Sequence, residues 1–183
     1  MWVPPSARVL IQVDVGFGDV IVPGPETADY PTLLEYPAPR LLVYPRDAVV
    51  AEKYQAMVVL GMANSRMKDF YDIWILARRF QFSGSNLALA IGATFKRRGT
   101  PIPSSLILGL GDEFAGSKAT RARWQGFMKK GGLGGAAVSL EEVVRFIREF
   151  LLPPTEGLAH SGRFEGVWPP GGPWTHSPGP KTS

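Results

Sequence analysis

Residues 47–80 read DAVVAEKYQAMVVLGMANSRMKDFYDIWILARRF, two runs of helix-forming residues broken at Gly61. Apolar residues recur every three to four positions, so the spacing predicts one helix from about Asp47 to Leu60 and another from about Ser65 to Phe80. On a helical wheel, Val49, Val50, Ala56, Met57 and Leu60 form an apolar stripe on the first helix, and Lys53 falls inside it. Glu52 and Gln55 point elsewhere. An ammonium in a core-facing stripe is costly unless it snorkels to the rim or meets an anion, and this helix alone does not choose between the two.

On the second helix Phe70, Ile73, Trp74, Ala77 and Phe80 form the apolar arc, with Asp69 at its edge and Arg66 one turn earlier. Lys68, Asp72 and Arg79 share the opposite face, where Lys68 and Asp72 read as a solvated i,i+4 pair contributing about 0.2–0.5 kcal/mol. Asp69 faces inward in the first turn, where exposed amides and the helix dipole favour a negative charge. Lys53, Arg66 and Asp69 are therefore expected to converge on one polar pocket between the two helices.

Upstream, Arg8 to Val15 reads as a strand, with Val9, Ile11, Val13 and Val15 on one face and Asp14 on the other. Asp14 sits just before the break Gly16-Phe17-Gly18-Asp19, a position that suits a metal or triphosphate site or, more plainly, a turn cap. Val20 to Val22 reads as a short second strand. Six prolines between Pro23 and Pro45 impose an extended segment, with a strand expected at Arg40 to Tyr44.

Downstream, helices are expected over Asn86 to Arg98, Thr120 to Lys130 and from Ser139 onward. Ser139 and Glu142 have the spacing of a capping box, and Leu140, Val143, Val144, Ile147 and Leu151 supply an apolar stripe. Pro153-Pro154 is expected to end that helix. Seven prolines and six glycines over residues 153–183 then predict a mostly flexible tail, although Trp168 and Trp174 offer a way to dock it. Gly111 to Lys118 superficially suggests a phosphate loop, but it ends in Gly-Ser-Lys rather than Gly-Lys-Ser and is discounted.

Composition narrows the chemistry. The 183 residues include no cysteine, and the two histidines, His160 and His176, lie in the tail. Thiolate and histidine chemistry is a poor fit, leaving carboxylates, lysines, arginines and hydroxyls. A net charge of +4 permits a nucleotide or nucleic-acid partner without requiring one. No apolar run reaches the roughly 18 residues of a membrane span, and the N-terminus lacks the pattern of a secretory signal, so a cytoplasmic protein is expected.

Val13-Asp14-Val15-Gly16-Phe17-Gly18-Asp19, then Tyr30-Pro31-Thr32-Leu33-Leu34, Ala51-Glu52-Lys53 and Asn64-Ser65-Arg66-Met67-Lys68-Asp69-Phe70-Tyr71-Asp72 together resemble the AbiEii/AbiGii nucleotidyltransferase toxins. The resemblance covers roughly residues 8 to 152, in order. It implies an α+β fold: part of a polymerase-beta-like nucleotidyltransferase sheet followed by a mainly helical bundle over 1–152, with 153–183 as tail. It also implies transfer of a nucleotide from a nucleoside triphosphate with magnesium, an acceptor that in some relatives is transfer RNA, and a cognate antitoxin. Carried over by residue, Lys53, Asp69 and Asp14 are the implied catalytic positions. Lys53, Arg66 and Lys68 are implied to contact the triphosphate, and Asp14 and Asp69 the metal. The family's Gly-Gly/Gly-Ser turn followed by an Asp-x-Asp pair does not occur in the sequence, where Gly131-Gly132 and Gly134-Gly135 lead to no such pair, so the chain is expected to be the C-terminal portion of such a protein. The alternative is a non-catalytic module binding nucleotide, RNA or antitoxin.

Overall fold

The computed structural model describes residues 21–133 and 138–175. The predicted strand Arg8 to Val15, with Asp14 on it, lies outside the described residues. Ile21 and Val22 carry no strand. Instead β1 (Glu26–Asp29) pairs antiparallel with β2 (Arg40–Val43), Glu26 opposite Val43 and Asp29 opposite Arg40. The prolines limit both strands to the short stretches between them, since proline cannot donate to a ladder.

The helices follow: α1 (Arg46–Leu60), α2 (Met67–Arg79), α3 (Gly84–Arg97), α4 (Asp112–Gly116), α5 (Lys118–Lys130) and α6 (Leu140–Ser161). A second two-stranded ladder joins β3 (Phe82–Ser83) to β4 (Val167–Trp168). The architecture is α+β, dominated by helices. The phosphate-loop lookalike is α4, whose Phe114 is fully buried and stacks on Phe70 at 5.3 Å.

Helix α1 packs chiefly against α3, and also against α2 and the 3-10 turn Leu108–Leu110. With neighbours on several sides, its buried face is not the expected stripe. Val50, Ala51, Tyr54 and Met57 are buried, and so is Gln55, whereas Ala56 and Leu60 stay partly exposed. On α2 the expected arc holds at Phe70, Ile73, Trp74 and Ala77 but not at Phe80, which is exposed beneath the Arg46 guanidinium at 4.4 Å.

The helix from Ser139 does not stop at Pro153-Pro154. Both prolines lie inside α6, which runs on to a left-handed Gly162. Proline lacks the N–H that would reach the carbonyl four residues back. For Pro154 that carbonyl belongs to Phe150, and Trp174 Nε1 donates to it instead at 2.9 Å. The tail thus supplies the hydrogen bond that the proline removes, and a double proline ceases to be a terminator.

A second tryptophan closes another helix end. An α-helix leaves its last carbonyls without internal donors, and at the end of α2 the Ala77 carbonyl accepts from Trp168 Nε1 at 2.7 Å and from the Gly171 amide at 3.1 Å. Trp168 is 1 % exposed and packs on Phe150 at 5.0 Å between ring centres. The turn beneath it demands glycine: Gly172 has φ +76°, and a Cβ there would come within 2.5 Å of the Trp168 ring. The proline- and glycine-rich composition that argues against regular structure therefore builds a clasp, because its aromatic donors meet carbonyls left open by two helices.

Candidate functional site

The site begins at the turn between α1 and α2. Asn64 is fully buried, and its Oδ1 accepts the Arg66 amide at 2.9 Å, fixing the backbone as α2 starts. The sequence gives no local signal for this turn residue beyond its place at the head of the Asn64-Ser65-Arg66 string. The start so fixed places Asp69 in the first turn of α2, where the dipole favours its charge.

Lys53 reaches across from α1. Its Nζ donates to Asp69 Oδ1 at 2.7 Å and lies 2.8 Å from Asp72 Oδ2. The side chains are 20 %, 14 % and 21 % exposed, which makes this a half-sheltered cluster rather than a surface pair. Burial, the largest influence, pulls the Lys53 pKa down, but the hydrogen bonds and charges of Asp69 and Asp72 outweigh it and hold the group above its ordinary 10.5. Lys53 is a permanently charged anchor at neutral pH.

Asp72 corrects the wheel. The helical wheel sets it on the opposite, solvated face with Lys68, yet it bonds both lysines, with Lys68 Nζ 2.7 Å from the same Oδ2. Asp69 and Asp72 are three residues apart and so only about 60° apart on a helix, and a four-carbon lysine stem from α1 spans both. Helical angle alone missed the reach of the partner.

A cleft of about 330 Å³ opens beside Lys53, lined by Tyr44, Val49, Glu52, Lys53, Arg66, Asp69 and Arg98. Glu52 and Gln55, read as pointing elsewhere, both serve it. Glu52 lines the wall, and buried Gln55 accepts from Arg98 Nη1 at 2.9 Å while donating to Thr100 Oγ1 at 2.8 Å. Arg98, which the sequence presents only as the end of the basic run Lys96-Arg97-Arg98, is thereby turned into the cleft. The signal that would have found it is the contact between α1 and α3, which no local pattern encodes.

Lys53, Asp69 and Arg66 are therefore brought together. Arg66 is exposed, and its guanidinium has no ion-pair partner among the described residues. Lys68 is not in the cleft: it lines the adjoining groove, 72 % exposed. Asp14 lies outside the described residues.

Chemically the cleft is suited to anions. An ammonium carries three N–H donors, and two of those on Lys53 face carboxylates, leaving one for a phosphate oxygen. Arg66 and Arg98 add planar guanidinium groups that match phosphate geometry. Magnesium fits less well on these residues alone. Asp69 and Asp72 each give one oxygen to Lys53, and among the described residues no group of three or more His, Cys, Asp or Glu is placed to hold a metal. An octahedral ion needs more oxygen ligands than that pair offers.

No helix among the described residues is long and apolar enough to cross a membrane. The sequence profile of the nucleotidyl transferase AbiEii toxin family, of type IV toxin–antitoxin systems, matches residues 2–146. No curated protein and no solved structure matches the chain.

Proposed function

The chain belongs to the nucleotidyl transferase AbiEii toxin family of type IV toxin–antitoxin systems, and we propose that its α1–α2 cleft binds the triphosphate of a nucleoside triphosphate for transfer of the nucleotide to an acceptor. The observation that carries this reading is Lys53, pinned between Asp69 at 2.7 Å and Asp72 at 2.8 Å at the wall of a cleft shared with Arg66 and Arg98. Pinning fixes the ammonium before the ligand arrives, so little side-chain entropy is lost on binding. In the transfer an acceptor oxygen bonds the α-phosphorus, the bond to pyrophosphate breaks, and the acceptor's proton is lost to solvent. Positioning and charge stabilisation supply most of the rate in such reactions.

Lys53, oriented by Asp69, holds the triphosphate, Arg66 and Arg98 balance its charge, and transfer RNA is the acceptor the family resemblance suggests. The described carboxylates do not by themselves make a magnesium site. The family places an antitoxin beside the toxin as a partner.

The test is a calorimetric titration of a nucleoside triphosphate into the wild-type chain and Lys53→Ala. The variant should bind at least tenfold more weakly, a loss of about 1.4 kcal/mol or more. Equal affinities would remove the cleft as the triphosphate site. A second reading, a module that binds nucleotide, RNA or antitoxin without turnover, is favoured by the engagement of both Asp69 and Asp72 by Lys53. Transfer of radiolabel from α-labelled triphosphate to RNA by this chain would eliminate it.

A further inference from the structure

Arg66 and Asp69 also line a second cavity, so they form the partition between it and the triphosphate cleft. This groove, about 600 Å³, runs between the start of α2 and the outer face of α5 and is walled by Lys68, Arg123, Phe127 and Lys130. Helix α5 carries Lys118, Arg121, Arg123, Lys129 and Lys130 and no acidic residue. Arg121 is neutralised by Glu141. Arg123 and Lys130 are exposed and without an ion-pair partner among the described residues.

The groove is not merely charged. Phe127 is half-buried, its ring centre 5.8 Å from that of Tyr71 and 5.7 Å from that of Trp124. An aromatic wall anchored in this way, beside separated cations, offers what an unpaired strand needs: a face on which a base stacks and charges for its backbone phosphates. The groove floor is open at Gly126, where a Cβ would meet nothing within 4 Å.

We propose that this groove is the track for a single-stranded nucleic acid, held at its phosphates by Arg123 and Lys130 and stacked on Phe127, with its end delivered to the Arg66–Asp69 partition. The delivery rests on the reading of the neighbouring cleft as the triphosphate site; the strand binding does not. A phosphopeptide would use the charges, but the aromatic wall and the extended run of cations favour a strand with a phosphate at every residue.

Fluorescence anisotropy of a labelled single-stranded RNA 12-mer, titrated with the full chain across a salt series, tests the proposal. Arg123→Ala/Lys130→Ala should weaken binding at least tenfold and flatten the logarithmic salt slope by about 1.4, the loss of about two phosphate contacts on a single strand. Gly126→Phe fills the groove without changing its charge and should weaken binding similarly, with thermal unfolding confirming that both variants fold. Lys53→Ala should bind the strand as the parent does. Binding within twofold of the parent by both groove variants would overturn the proposal, as would equal affinity for a phosphopeptide of matched charge. If the strand binds through Arg123 and Lys130 while Lys53→Ala leaves triphosphate binding unchanged, the groove stands and the cleft assignment fails.

Discussion

The two ends of α2 solve opposite problems. At its start, Asp69 and Asp72 face a lysine from another helix beside a cleft, and Arg66 stays uncompensated among the described residues. At its finish, the Ala77 carbonyl is doubly satisfied by Trp168 and Gly171, and the surroundings are dry aromatic rings. One end keeps charge available; at the other the Ala77 carbonyl is fully engaged within the fold. A helix that must hold carboxylates in fixed positions gains from an anchored far end, because fraying there would propagate along the ladder.

The largest expected effect breaks the closed end. Trp168→Ala removes a buried indole, its hydrogen bond to Ala77 and its packing on Phe150, and should cost about 3–5 kcal/mol in chemical denaturation. If the comparison is right, triphosphate affinity measured where the variant is still folded falls much less than stability does. An unchanged denaturation midpoint would mean that the clasp contributes nothing to the fold.

A smaller change sharpens the open end. Asp72→Asn leaves the Lys53–Asp69 bond in place but removes one counter-charge from the lysine. Beside a polyanion in solvated surroundings the lost negative charge should let triphosphate bind about threefold more tightly at low salt. Stability should fall by roughly 1 kcal/mol or less, as expected for a pair only partly shielded from water. Weaker binding would show that Asp72 positions Lys53 more than it neutralises it.

The smallest effects come from pH. The Lys53 pKa is raised, so the stability from its pairing is fully present below 10.5 and is lost as pH climbs through the higher folded value. The Glu142 pKa is lowered by hydrogen bonds from the Ser139 amide and hydroxyl, so the stability from its capping box is present above 4.5 and fades as pH falls through the lower folded value. Thermal unfolding scans of Lys53→Met and Glu142→Gln should each flatten one flank of the pH–stability curve, alkaline for the first and acid for the second. A flank unchanged from the parent would refute the corresponding assignment.

The legible parts of this protein are those whose cause is local. Five helices could be read from apolar spacing, and the Ser139–Glu142 cap from residues three apart, because a capping box needs nothing beyond its own turn. Lys53 and Asp69 could be paired because each violated the polarity of its own helix face. Asp72 and Arg98 could not be assigned: Asp72 depends on the length of a lysine on another helix, and Arg98 on buried Gln55 turning it inward. β1 was likewise hidden, since its partner lies across a proline-rich loop that carries no register signal.

The tail marks the boundary most clearly. From sequence, Pro153-Pro154 stops a helix and the residues beyond it are too rich in proline and glycine to order themselves. In the fold, the helix continues, because Trp174 gives Phe150 the donor that Pro154 lacks and Trp168 closes α2. Sequence by itself determined five of the helices, the Ser139–Glu142 cap, the inward-facing Lys53 and Asp69 and the absence of thiol chemistry, since those follow from local spacing and composition. Only the tertiary structure decided that Asp72 and Arg98 belong to the site and that the tail is a clasp. Those outcomes depend on which donors and acceptors the packed helices leave unmatched.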